Sequence, residues 1–534
     1  MAEPANTNES TSKENLDTTT TAPTGPKKTL TFIGFFSITA AMVMSVHQYT
    51  TFAVAGMQIP FFLLASGILW FLPVALCSAE IATVKGWPDG GIFTWVSKML
   101  GIRFGFAALL FQWFQITVCF ITLIYFMISI LSYALAWPAL DNNPVIKLIA
   151  TLILFWVISL SQFAGIKRTV KLAKYGFLLG VVAALVVLVI LAIVYLAMGH
   201  PLQFTWDNSN LLPDFTSITV MVVFVSFLFA NMGAEASATH INEMVNPKRD
   251  YPLAMILLVI LATFLNAVGG FTVLGVVPIN ELSMSGGIAQ TYEALVVAIF
   301  PGLKWVVRII CVFLFFGVLG EVASWVVGPS RGIYMAVEQG LLPQGLKEEN
   351  KNGVPTRIII LQGVIVSIWA ILLTLIAGGS NASFLAALTL TAVIYLSAYM
   401  LMFASYFKLA HHPEMDRYYN VPGGRVGKYF FAIAGFFSSL FALIVAFFPP
   451  VVLKSSEVFS YELILAIGFL VMLSVPFIIF QTYSKKHMKA PDSTSDTTSA
   501  TTTRHKYAAD VNRYVQLGGR GEHMLDAEER KDSH

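Results

Sequence analysis

About twelve apolar runs, each near the ~20 residues that cross a bilayer, divide this chain and limit what it can fold into. They lie near 30–57, 59–84, 104–136, 145–163, 173–198, 215–241, 252–277, 297–328, 356–378, 383–408, 428–450 and 459–482. Within hydrocarbon every backbone N–H and C=O must find its partner inside the protein, so runs of this length become helices. The expected fold is therefore all-α, a polytopic membrane protein. Composition agrees: 12% of the 534 residues are charged and 56% are hydrophobic, where a soluble domain carries about 25% charged residues. The third and eighth runs are long enough to tilt or to project beyond the membrane.

Charge between the runs sets the orientation. With the N-terminus inside, the cytoplasmic segments hold nearly all the flanking lysines and arginines, including Lys27, Lys28, Lys85, Arg249, Arg357 and Lys485. Lys147, Lys304, Arg308 and Lys454 fall outside. This is the asymmetry of the positive-inside rule, and it puts both termini in the cytoplasm. The cluster Lys167–Lys174 reads first as a topology signal, with a lipid-headgroup contact as the second reading.

Residues 1–26 and 485–534 are polar and rich in Thr and Ser, so composition predicts disordered tails. Residues 27–484 then form the transmembrane domain. The N-terminal stretch lacks a basic start followed by an apolar core, so the first run is expected to act as its own insertion signal. Cys77, Cys119 and Cys311 sit in apolar runs with neither metal nor disulfide spacing. No Gly-x-x-x-x-Gly-Lys-Ser/Thr phosphate loop is present, which argues against a pump. No metal, cofactor or enzymatic signature stands out.

Two runs are interrupted by polar groups. The sixth passes from Phe229 through Asn231, Gly233, Ala234 and Glu235 to His240 and Glu243. A carboxylate at membrane depth is costly and marks a pathway or a partner. Gly233 permits backbone conformations that other residues resist. Together they predict a discontinuous helix whose free backbone groups face a solute. The competing reading is an unbroken helix with small residues at a packing seam. The first run carries Ser45, His47, Gln48, Thr50 and Thr51 about halfway along. Histidine is the side chain that changes charge between about pH 5 and 8.

The sequence from Met232 to Met244, followed by Asn246-Pro247 and Arg249-Asp250-Tyr251-Pro252, resembles the sixth helix and following loop of bacterial glutamate/GABA antiporters, in the amino acid–polyamine–organocation superfamily. The resemblance continues in Gly86-Trp87-Pro88-Asp89-Gly90-Gly91, in Glu321 to Arg331, in Asn352-Gly353-Val354-Pro355 and in Val421-Pro422-Gly423-Gly424, and spans residues 28–483. It implies about 12 transmembrane helices, a 5+5 inverted repeat (LeuT-like) with discontinuous helices 1 and 6, and alternating access. It also implies exchange of extracellular glutamate for intracellular GABA at a bacterial cell membrane, acid resistance, and functional coupling to a cytoplasmic glutamate decarboxylase. The cytoplasmic tail is implied as a pH-dependent plug, although this tail does not match a plug sequence. Many superfamily members have a Gly-rich first break, where this chain reads Met44-Ser45-Val46.

The resemblance places Ser45, His47, Asn231, Gly233, Ala234 and Glu235 at the substrate site. It adds Glu321 and Trp325 on helix 8, and Tyr395 and Tyr399 on helix 10, each pair one turn apart and so on one helical face. The bland reading of each tyrosine is a core aromatic with a satisfied hydroxyl, whereas an intramembrane acid such as Glu321 is a functional candidate by default. The expected partners are small amino acids and the lipid bilayer, with no nucleic acid. Two alternatives remain open: exchange of another amino acid for its decarboxylation product, such as tyrosine for tyramine, and a channel or receptor that shares only the helix count.

Overall fold

The protein is described by a computed structural model over residues 30–85, 87, 91–164, 175–205, 211–237, 244–379 and 381–487. The expected N-terminal tail, the C-terminal tail beyond His487, the Lys167–Lys174 cluster, and His240 and Glu243 lie outside the described residues; Lys485–His487 continue the last helix. Ten described helices are long and apolar enough to span a membrane. In order they are Gly56–Ala82, Ile102–Leu135, Pro144–Ala164, Phe177–Ala197, Pro247–Val276, Pro301–Val326, Thr356–Ala377, Asn381–Ala410, Gly424–Val445 and Ser455–His487. The first and sixth apolar runs are the ones missing from this series, because each is broken into short pieces. Ten continuous and two broken helices are consistent with the expected count.

The first span runs as Phe32–Val43, opens at Met44 and Ser45, and resumes at Val46. Met44 (φ −86°, ψ 114°) and Ser45 (φ −142°, ψ 130°) are extended. A single 3-10 turn, Val46–Gln48, leads into Tyr49–Ala53. The sixth span runs as Ile218–Met221 and Val223–Phe229, turns through residues 230–233, and restarts at Ala234. Gly233 has φ +99°, a left-handed conformation that costs an L side chain roughly 1–2 kcal/mol. The two broken spans lie together. The rings of Phe52 and Phe227 are 4.7 Å apart, and a bridge joins Leu30 to Met244.

The third and tenth spans form the interior, with 78% and 83% of their apolar windows buried, whereas the fifth is only 28% buried and faces the membrane. The fifth and eighth spans meet at Gly180 and Gly317, where a Cβ on Gly180 would fall 2.4 Å from the Gly317 Cα. Small residues at such a seam let two backbones touch. The eighth apolar run is divided by Pro301, which separates a short helix, Gly287–Ile299, from Lys304–Glu338. At 35 residues that helix is about 52 Å long, well beyond the hydrocarbon. A second short helix, Gly91–Leu100, buries Ile92, Trp95, Val96 and Met99 at helical spacing.

Charged clasps close both ends of the helix bundle. At one end Glu80, fully buried in the second span, accepts from Arg417 Nη1 and Lys428 Nζ at 2.5 Å each. The Tyr406 hydroxyl and the Val421 N–H complete its shell, both at 2.8 Å. At the other end Lys147 reaches Asp141 at 2.7 Å and donates to the Gly379 carbonyl at 2.8 Å. It also lies 4.5 Å from the Tyr125 ring centre. Lys147 is thus a buried structural cation.

Candidate substrate site

The break in the sixth span delivers Glu235 into a polar cage. Both Tyr395 and Tyr399 of the tenth span donate their hydroxyls to this carboxylate, one to each oxygen. The tyrosines are one helical turn apart, and their rings meet at a tilt with centres 4.7 Å apart. The Gly233 N–H donates to the Tyr399 hydroxyl oxygen at 2.8 Å, so the amide freed by the break is already engaged. Trp70 of the second span sets its ring edge against Tyr399 at 4.9 Å and donates to the Ser439 hydroxyl at 2.9 Å.

Asn231 and Ala234 frame this cage without joining it. The Asn231 side chain donates back to the Phe227 carbonyl at 3.0 Å, satisfying the end of the helix that has just stopped. Ala234 is fully buried. Ser45 and His47 form a second polar group at the first break. His47 Nδ1 pairs with the Ser45 hydroxyl, and the Gln48 side-chain nitrogen lies 3.0 Å from His47 Nε2. With that amide donating, the histidine proton sits on Nδ1. The Gln48 Oε1 and Thr50 Oγ1 atoms are buried and unpaired, which leaves an acceptor and a hydroxyl available at the break.

Glu321 and Trp325 sit one turn apart on the eighth span and are both half-buried. Among the described residues Glu321 makes no ion pair, so its carboxylate stands apart from the satisfied Glu235.

The third span connects these groups, and sequence reasoning missed its part. Gln112 places its side-chain nitrogen 3.5 Å from both Glu235 Oε1 and the Tyr395 hydroxyl. Cys119 lies on the same helix, midway between Gln112 and Phe126. Phe126 lies 5.7 Å from the His47 ring. Residues 112, 119 and 126 follow at intervals of seven, which is one face of a helix over about 21 Å. The visible signal was Gln112 itself, an amide in an otherwise apolar stretch.

A carboxylate held by two tyrosines at a helix break, a second unpaired carboxylate and a polar first break, all around one interior helix, are the features of a solute carrier. The amino acid permease family matches residues 30–470, and the chain belongs to that family. It is 48% identical over 500 residues to the glutamate/gamma-aminobutyrate antiporter of Lactococcus lactis subsp. lactis (strain IL1403), covering 93% of this chain and 98% of that one. It is 49% identical over the same length to the protein of that name from Lactococcus lactis subsp. cremoris (strain MG1363), with the same coverage. The crystal structure of MhsT in complex with L-phenylalanine matches at TM-score 0.53 and 16% identity, covering 79% of this chain and 99% of that one. That likeness establishes the LeuT fold.

Proposed function

We propose that this protein exchanges extracellular glutamate for intracellular GABA by alternating access. The observation that carries this reading is the pairing of near-half identity to two antiporters of that name with an intact Glu235–Tyr395–Tyr399 cage at the sixth break. The substrates share an amine and a carboxylate. The Gly233 amide is the natural partner for the carboxylate once Tyr399 releases it, because an unpaired amide at a helix break favours an anion. Glu321 opposes a full anion in the same path and favours neutral or cationic forms. This suits import of protonated or zwitterionic glutamate in acid and export of GABA. We place the carrier in a bacterial cell membrane with both termini cytoplasmic. It serves acid resistance by supplying a cytoplasmic glutamate decarboxylase and removing its product.

Proteoliposomes test this directly. Labelled glutamate should enter vesicles preloaded with GABA and fail to enter empty ones. Equal uptake into empty vesicles would indicate a channel. Uptake of tyrosine against tyramine in preference to glutamate against GABA would overturn the substrate assignment and keep the exchanger.

A further inference from the structure

A groove of about 330 Å³ opens on the membrane face between the fifth and seventh spans. Six aliphatic residues of the fifth span, from Val181 to Ile190, line it together with Leu265 of the seventh and Met44. Among the described residues no polar side chain lines the groove. Val182, Val186 and Ile190 form its outer lip and are exposed to the membrane, while Val181 and Leu185 are buried and Met44 is half-buried behind them. Val182, Val186 and Ile190 make one i, i+4 ridge and Val181, Leu185 and Val189 the next. The groove therefore follows the fifth helix for about 13 Å.

Three considerations fix the occupant. The lip residues Val182, Val186 and Ile190 are exposed, so the groove is open to the membrane and is filled from that side. Water needs two to four polar partners, and none lines the groove. The same lack of polar groups excludes an amino acid. The groove also sits near the middle of its spans, since Val181–Ile190 is central to Phe177–Ala197 and Leu265 is central to Pro247–Val276. Headgroups lie about 15 Å away, at the surface of a hydrocarbon layer ~30 Å thick. Only the far end of a hydrocarbon chain reaches this depth.

We propose that this groove seats the terminal part of a phospholipid acyl chain, which packs against Met44 at the break in the first span. Neither the permease family match nor the exchange reading assigns a lipid here, and the proposal holds whichever amino acids are carried. Its test is photolabelling of the full-length protein in phosphatidylglycerol vesicles, with labelled residues mapped by mass spectrometry. One lipid carries a diazirine at the chain end and the other carries it next to the ester. The chain-end probe is expected to label Met44 together with Val186 and Ile190, and the ester-proximal probe is expected to spare Met44. Labelling of Ile190 without Met44 by the chain-end probe would overturn the proposal, because the groove would then be collapsed. Equal labelling of Met44 by both probes would overturn it as well. Leu265→Trp narrows the groove. It should lower the Met44 label at least fivefold while the Ile190 label, which reports a folded and inserted protein, stays within twofold. A Met44 label undiminished in that variant would show another route to the residue and would also overturn the proposal.

Discussion

Tyr399 holds two groups at once, since its oxygen receives the Gly233 N–H while its proton goes to Glu235. Tyr399→Phe leaves a buried amide and one carboxylate oxygen short of a partner, at a cost of about 1–3 kcal/mol each when unrelieved. Exchange should fall at least tenfold with membrane insertion retained, and undiminished exchange would show the hydroxyl to be dispensable. Gly233→Ala tests the backbone instead. At φ +99° the methyl is strained by roughly 1–2 kcal/mol, so the variant should insert normally, melt lower and lose most exchange. Glu235, Tyr395 and Tyr399 were each legible as polar groups in apolar runs. Their meeting was not, because 160 and 164 residues separate the acid from its two donors and no local pattern encodes that pairing. Gln112 escaped for a different reason: a single amide does little to the hydropathy of a 34-residue helix.

At the scale of elements, Gly233 announced the sixth break, and the structure turns the chain there. The first break has neither Gly nor Pro at Met44–Ser45. It forms because extended backbone suits any residue, and the side chains of Ser45, His47 and Gln48 pair with one another there. The division of the eighth run at Pro301 was missed because an apolar stretch reads alike on either side of a corner. The clasp between the second span and the segment from Tyr406 to Lys428 is equally non-local. Glu80→Gln leaves Arg417 buried beside a neutral amide, and loss of one partner from a buried pair costs about 3–5 kcal/mol. A large drop in melting temperature should follow, and an unchanged melt would remove the clasp from the stability of the fold. Next to it, the hydrogen bond from Lys85 holds Asp416 below its ordinary carboxylate value of 3.8. A depressed carboxylate adds stability above its unfolded pKa and loses it as pH falls through the folded one. That surface tie therefore persists at about pH 5.5. Asp416→Asn should leave the melting temperature nearly unaltered there, as expected of exposed ion pairs.

For the whole molecule the expected behaviour is acid-activated exchange, strong near about pH 5.5 and weak near about pH 7, the range in which histidine titrates. The substrate's own side-chain carboxylate, with a pKa near ~4.3, supplies a competing cause. Removing the residues after Thr503 separates the two: a tail that gates predicts exchange restored at neutral pH. A pH profile equal to that of the full chain would rule out the tail and assign the effect to the substrate. The helical class follows from composition, which is additive along a chain, whereas the clasps depend on chain closure. The Glu80 clasp carries a consequence for how the protein is made. Its carboxylate precedes Arg417 by 337 residues, so at 5–20 residues per second the acid emerges on the order of tens of seconds before its counter-ion exists. During that interval the end of the second helix has to rest in the wet headgroup layer with its charge solvated. The helix can settle to its final depth only after the segment from Tyr406 to Lys428 has been synthesised, which makes the second helix one of the last to be secured although it is among the first to enter the membrane.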